Sequence, residues 1–252
     1  MIPKTIHYCW LSGDPMPRTA VKCMETWRRV MPEYEIKLWD KNSFDVSSAP
    51  LYVRQAVEKR KWAFAADYIR MWAVHRHGGI YLDSDVVVRK PFGDFLHHSF
   101  FSSMEYHPSQ VEKTGSGAMV DSEGRRTAPG YVSGIQVQAA VIGGEAGNPF
   151  AAKVLEHYSK TTFIRPDGSI EDGILSPYIY ARLLEPYGFR YVDRDQELPG
   201  GIMIYRSEIF AGNKREATQQ SYAVHLCAHG WKPSPAEKLK RAVERLIGRG
   251  LK

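Results

Sequence analysis

The stretch Gly78-Gly79-Ile80-Tyr81-Leu82-Asp83-Ser84-Asp85-Val86-Val87-Val88 decides how this chain is read. Two carboxylates stand one residue apart between two runs of β-forming residues. Asp83 and Asp85 therefore fall at or just beyond a strand end, and in extended backbone alternate residues point to the same side. Unpaired carboxylates in so apolar a setting are costly and repel each other. A divalent cation relieves both problems. Hard oxygen ligands from few side chains suit Mg²⁺ or Mn²⁺, which keep water and substrate phosphates as remaining ligands. The plainer alternative is an Asp-Ser-Asp turn between two strands.

Working outward, Lys4 to Trp10 has strand character, and a helix is expected from about Pro17 to Val30, with Val21, Met24 and Trp27 at helical spacing. Glu35 to Trp39 alternates as a second strand. Strand, helix, strand opens an α/β fold. A long helical stretch runs from about Leu51 to His77, with a break near Lys61, and Gly78-Gly79 closes it. Phe100-Phe101 is a short strand candidate. From Ser102 to Gln136 the pattern dissolves into glycines and polar residues, which suggests a long loop or a lid. Val137 to Gly143 resumes strand character. Helices are expected at about Pro149–Tyr158 and Gly173–Pro186, and short strands at Arg190–Val192, Ile202–Tyr205 and Tyr222–Leu226. No linker separates two domains.

A chain of 252 residues with 43% hydrophobic and 25% charged residues has the composition of an ordinary globular protein with a sizeable core. Its three cysteines, Cys9, Cys23 and Cys227, form no CxxC pair, and their odd number fits a reducing compartment. The residues after Met1 contain no apolar signal core, and no stretch approaches the roughly 20 apolar residues of a membrane span. A cytoplasmic location is expected. The net charge of +6 is concentrated at one end: Lys232 to Lys252 holds seven basic residues against two acidic ones. No nucleic-acid motif accompanies this charge, so no nucleic-acid partner is expected. Within that segment, Ser234 to Leu246 has the pattern of a basic amphipathic helix, with Leu239, Ala242, Val243 and Leu246 on its apolar face. Such a helix either lies on an anionic membrane, at the inner face, or packs on the protein body.

A second constellation precedes the carboxylates: Ala63-Phe64-Ala65-Ala66-Asp67-Tyr68-Ile69-Arg70. Asp67 and Arg70 lie three apart on a helix and share a face. The helix is so apolar that the pair is expected to be partly buried. Beside a metal, such a pair suits an anionic, polyhydroxylated ligand: Arg neutralises phosphate and Asp accepts from hydroxyls.

Together, Ile2-Pro3-Lys4-Thr5-Ile6-His7-Tyr8-Cys9-Trp10, Ala66-Asp67-Tyr68-Ile69-Arg70 and Gly78-Gly79-Ile80-Tyr81-Leu82-Asp83-Ser84-Asp85 resemble glycosyltransferase family 32, whose members carry an Asp-x-Asp motif. That family includes bacterial capsular-polysaccharide transferases and fungal mannosyltransferases, and it is distantly similar to glucosylating bacterial toxins. Val141-Ile142-Gly143-Gly144 through Asn148-Pro149-Phe150 also resembles a family segment. The resemblance implies an α/β fold of the GT-A type, a Rossmann-like mixed sheet flanked by helices that binds a nucleotide-sugar. It implies one such domain over residues 1–231, followed by the basic helix of 232–252. It also implies a retaining glycosyltransferase using Mn²⁺ or Mg²⁺, with a nucleotide-sugar donor and a glycan or lipid-linked acceptor, as in surface polysaccharide synthesis. A UDP-sugar is the expected donor, with GDP-mannose the alternative.

Carried over residue by residue, the resemblance implies that Asp85 coordinates the metal and that Asp83 contacts sugar or ribose and the metal through water. Asp67 and Arg70 would hold the donor sugar, Tyr81 would lie against the nucleotide, and Trp10 would stack on the base. Near the end, Tyr222-Ala223-Val224-His225-Leu226-Cys227-Ala228-His229-Gly230-Trp231 resembles the closing motif, in which Trp231 contacts the donor and His225 or His229 supplies a third metal ligand. Gly230 stands where that motif has Ser. Gln138 lies near a position where the family often has Asn, and is a candidate contact to donor or acceptor. Glu171-Asp172 either orient the acceptor or cap the next helix. Two other readings remain: a catalytically degenerate nucleotide-sugar-binding protein, and a haloacid-dehalogenase-type phosphohydrolase, in which the first Asp of an Asp-x-Asp is the nucleophile.

Overall fold

A computed structural model describes residues 1–227. The terminal helix expected over Ser234–Leu246, together with His229 and Trp231, lies outside those residues. The chain opens with β1 (Thr5–Cys9), α1 (Arg18–Val30) and β2 (Glu35–Trp39), as the sequence pattern implies. Ala20, Cys23, Met24 and Trp27 form the buried stripe of α1. The expected long helix breaks where anticipated, into α2 (Leu51–Glu58) and α3 (Trp62–His77). Helix α3 buries residues on most of its circumference, Asp67 and Arg70 among them, because it lies between the sheet and other helices.

Strand β3 (Gly79–Leu82) follows at once, then the turn Asp83–Asp85, then β4 (Val86–Val88). Both sequence readings of the acidic triplet therefore hold: it is a turn between two strands, and it sits at a strand end. The remaining elements are β5 (Phe100–Tyr106), α4 (Pro108–Thr114), β6 (Ile135–Val137), β7 (Val141–Gly144), α5 (Pro149–Ser159), α6 (Ser176–Leu184), β8 (Gln196–Leu198), β9 (Ile202–Tyr205), β10 (Phe210–Ala211) and β11 (Ala223–His225).

The main sheet runs β2-β1-β3-β7-β5-β9-β8, with β6 paired to β5. β1 is parallel to both β2 and β3, whereas β7 is antiparallel to β3 and β5. A small sheet, β10-β11-β4, stands beside it. The acidic turn is where the chain leaves one sheet for the other. One core packs α2, α3, α5 and α6 on the face of the main sheet that carries Tyr81 and Ile142. A second core packs α1 and the small sheet on the face that carries Ile80, Leu82 and Val141. Helix α1 also guards β4: the Trp27 indole N–H donates to the Val86 carbonyl at 2.7 Å, and the Thr26 hydroxyl accepts from the Val88 N–H at 2.9 Å.

The entry to β3 is fixed by backbone and by a buried imidazole. Gly79 has φ 111°, and a Cβ there would sit 2.6 Å from the Thr5 carbonyl oxygen, so only glycine fits. His7, fully buried on β1, has Nε2 2.8 Å from the Gly78 carbonyl oxygen, while its Nδ1 accepts from the Trp39 indole N–H at 3.2 Å. These two bonds assign the proton to Nε2 of a neutral ring. Burial is the main cause that lowers its pKa to about 4.

Three expectations need correction. Ser102–Gln136 is not one long loop: β5 continues through Ser102 and Ser103, both fully buried, and α4 and a 3-10 turn at Ser116–Met119 follow. Arg190–Val192 is not a strand. The Gln196 side chain ties the Arg190 N–H and the carbonyls of Arg190 and Val192 into a turn, and the strand lies at Gln196–Leu198. Finally, the expected helix Gly173–Pro186 begins only at Ser176, with Pro177 in its first turn.

Candidate functional site

Asp83 continues the face of β3 that carries Tyr81, toward α3. Its Oδ1 accepts from the Tyr81 hydroxyl at 2.9 Å and lies 3.5 Å from an Arg70 guanidinium nitrogen. The same guanidinium nitrogen pairs with Asp67 Oδ1 at 3.0 Å. Arg70 also donates to the Ala139 carbonyl at 2.6 Å and, through Nε, to the Ala66 carbonyl at 3.3 Å, and it lies 5.0 Å over the Tyr81 ring. Its fork is thus spent on the protein itself. Burial works against the guanidinium charge, but Asp83, Tyr81 and Asp67 hold it firmly protonated. Burial raises the Asp67 carboxyl to about 6, against the opposing pull of Arg70 and the Ser176 hydroxyl. Tyr81 is 1% exposed, and burial followed by the Asp83 charge pushes its phenol well above the usual range.

The other half of the site comes from the small sheet. His225 sits on β11 opposite Val86 in register, and the Leu226 N–H donates to the Asp85 carbonyl at 3.0 Å. His225 Nε2 lies 3.2 Å from Asp85 Oδ1. Its Nδ1 lies 3.5 Å from Cys227 Sγ, and that thiol donates to the Gly212 carbonyl at 3.0 Å. Burial opposes the imidazolium, but the bond to Asp85 raises its pKa well above the ordinary value. Asp83, Asp85 and His225 each offer one atom, and the three atoms lie within 4.8 Å of one another. Two carboxylate oxygens and one imidazole nitrogen form a donor set that suits a divalent cation. A cation here would replace the proton that now holds His225 to Asp85.

The sequence candidates fall as follows. Asp67, Arg70, Tyr81 and Asp83 form one continuous network, and Asp83, Asp85 and His225 form the ligand cluster that joins it. Gln138, 3% exposed, donates from Nε2 to the Ser103 hydroxyl and the Phe210 carbonyl, and its buried Oε1 has no partner. Trp10 is half-buried at the end of β1, where its indole N–H donates to the Asp14 carbonyl at 2.7 Å. Glu171 and Asp172 do not cap α6: they pair with Arg165 and Lys61. Sequence reasoning gave no role to two supports, Ser176 beside Asp67 and Cys227 behind His225. A lone serine and a lone cysteine carry no pattern that would reveal them.

Comparison with known proteins adds an independent line. Residues 17–102 match the family described as the glycosyltransferase sugar-binding region containing DXD motif. Over those residues this chain is similar to a glycosyltransferase sugar-binding region. The match bears out the family 32-like resemblance, and its last third contains the acidic turn. An uncharacterized glycosyltransferase of Acanthamoeba polyphaga mimivirus is 34% identical over 110 residues, 40% of this chain and 42% of that protein. Inositol phosphoceramide mannosyltransferase 3 of Schizosaccharomyces pombe is 27% identical over 165 residues, 64% of this chain and 38% of that protein. Each match thus spans less than half the length of the relative. Among solved structures, the PaToxG glycosyltransferase aligns with a TM-score of 0.50 at 17% identity, covering 73% of this chain and 69% of that one. That likeness shows the fold, which is GT-A. Among the described residues, no helix is long and apolar enough to cross a membrane.

Proposed function

We propose that this chain transfers a glycosyl group, with retention, from a nucleoside-diphosphate sugar to a hydroxyl of a glycan or lipid-linked glycan. A UDP-sugar is the favoured donor and GDP-mannose the alternative. The observation that carries the reading is the convergence of Asp83, Asp85 and His225 within 4.8 Å, next to the buried Asp67–Arg70 pair. In this reading, Asp85, Asp83 and His225 hold Mn²⁺ or Mg²⁺, which when bound neutralises charge on the diphosphate leaving group. Residues 1–231 act as one transferase domain, with 232–252 as its basic tail.

The chain's own residues divide the remaining work. Expelling a diphosphate gives the sugar oxocarbenium character, so fixed dipoles and charges around the reacting carbon matter most. Asp67 accepts from a donor-sugar hydroxyl, its carboxylate kept aimed by Arg70. Arg70, with its donors committed to Asp67, Asp83 and two carbonyls, acts as a positioning residue and lends its charge through them. Tyr81 aims Asp83, leaving the opposite carboxylate edge for sugar or ribose. Trp10 offers an aromatic face to the base. The phosphohydrolase reading loses its ground with the GT-A fold. To test the proposal, purified protein would be incubated with UDP-glucose, UDP-galactose and GDP-mannose plus Mn²⁺, with proton NMR following the anomeric signal. Release of an α-configured sugar supports a retaining transferase, a β-configured product overturns retention, and no metal-dependent turnover of any donor overturns the activity.

A further inference from the structure

Behind His225 runs a chain of contacts that reaches the end of β5. The His225 Nδ1 atom lies 3.5 Å from the Cys227 sulfur, and that thiol donates to the Gly212 carbonyl at 3.0 Å. A carbonyl oxygen only accepts, and a thiol has one proton to give. With that proton committed to Gly212, the sulfur meets His225 as an acceptor. Nδ1 therefore carries a hydrogen, and Nε2 is the atom turned to Asp85, at 3.2 Å. An outer partner of this kind on the second ring nitrogen sets the tautomer and direction of a metal-ligating histidine.

Gly212 is itself held in place. It follows β10, which pairs in parallel with β11, the strand of His225. A Cβ at Gly212 would lie 3.0 Å from Glu216 Oε2 and 3.5 Å from His107 Cε1, so both side chains pack against its backbone. His107, just past β5, is clasped by two carboxylates: Nε2 lies 3.1 Å from Glu105 and Nδ1 lies 3.2 Å from Glu216. The bond to Glu105 is the main cause that raises the imidazole's pKa, against burial, and the Glu216 charge adds to it. The Asn213 amide donates to the same oxygen of Glu216. The segment after β10 is thus tied to the end of β5. We infer that His107 and Cys227 are positioning residues for His225: the His107 clasp fixes Gly212, Gly212 fixes the thiol, and the thiol aims Nε2 at the cation site. The inference rests on the divalent-cation reading for its effect on metal binding, and on geometry alone for the aiming of the ring.

The test measures Mn²⁺ affinity of the full chain, without nucleotide, from the paramagnetic resonance of the free ion. Cys227→Ala should weaken binding about 10–100-fold, the scale for losing an outer partner. Cys227→Ser should stay within about threefold of wild type, since a hydroxyl also gives one proton and accepts another. His107→Phe keeps a ring against Gly212 but removes both donors, and should weaken binding about tenfold. Adding it to Cys227→Ala should cost nothing more, because two steps of one route do not add. Thermal melts establish that each variant is folded. NMR on protein with isotope-labelled histidine supplies a readout without metal. The His225 Nδ1 proton, assigned by its absence in His225→Gln, should exchange slowly with water in wild type and Cys227→Ser, and fast in Cys227→Ala and His107→Phe. Wild-type Mn²⁺ affinity in Cys227→Ala, fully additive losses in the double variant, or an unprotected Nδ1 proton in the wild type overturns the inference. A wild type that binds no Mn²⁺ but shows this exchange pattern keeps the positioning role and removes the cation reading, so the two failures are distinguishable.

Discussion

The two halves of the site differ in how their charges are held. On the α3 side, Asp67 and Arg70 are only 10% and 6% exposed at the side chain, and every contact closes on the protein itself. On the small-sheet side, Asp85 and His225 are 18% and 23% exposed and meet each other at 3.2 Å. Asp83, at 25%, belongs to both. The first half is a scaffold set when the chain folds, and in the proposed function only Asp67 of that pair also meets the donor sugar. The second half is a set of partly exposed groups whose oxygen and nitrogen atoms lie close enough together to share a cation. Damage to the scaffold should therefore cost stability and activity together, whereas damage to the ligands should cost activity alone.

The sharpest separation is Asp85→Asn, expected to lower transfer about a hundred- to a thousandfold, the scale for losing a main electrostatic group, with the melting temperature changed far less than in the scaffold variants. Donor turnover and a thermal melt on the same sample check both parts. Arg70→Met should do the opposite to stability. It strands two carboxylates, Asp67 in the interior, and is expected to cost about 3–5 kcal/mol in denaturant unfolding. Arg70→Lys should not rescue it, because one ammonium cannot serve four acceptors in a planar fork.

His7 tests the scaffold from further away, since it fixes the carbonyl of Gly78 at the entry to β3. Its folded pKa of about 4 lies below the ordinary 6.5. As pH falls through that window, the unfolded chain takes a proton that the folded chain refuses, so stability falls with falling pH. The contribution is up to about 3 kcal/mol at pH 4 and absent at pH 7. Urea unfolding from pH 4 to pH 7 should show this slope in the wild type and a flatter one in His7→Gln.

The smallest effect expected is for Tyr81→Phe. It leaves the ring in the core and removes only the hydroxyl that aims Asp83. Loss of such an outer partner costs about 10–100-fold in metal affinity or activity. Stability should fall by only about 1 kcal/mol in the same melts.

Much of this contrast was legible in the sequence, for physical reasons. The acidic triplet, the Asp67–Arg70 spacing and the paired glycines each force a local geometry, and together they fix the opening of the fold and most of the site. What stayed hidden depends on contacts between distant residues. Ser102 and Ser103 look like loop residues, yet the Ser102 hydroxyl bonds the carbonyls of Gln138 and Val141 inside the sheet. Arg190–Val192 has strand-like composition, but one side chain, Gln196, folds it into a turn. Arg70 looked like a ligand for donor phosphate. Its neighbours in sequence could not reveal that Ala139 and Asp83 would claim its hydrogen bonds.

The central claim is that Asp83, Asp85 and His225 make nucleotide binding depend on a divalent cation. It is tested most directly by calorimetric titration of UDP into the wild type and Asp85→Asn, with Mn²⁺ and with chelator. The account expects binding only in wild type with Mn²⁺ and at least about a tenfold loss in the variant, since loss of even an outer partner costs that much. Equal UDP affinity with and without metal, or full Mn²⁺-dependent binding in Asp85→Asn, would contradict it.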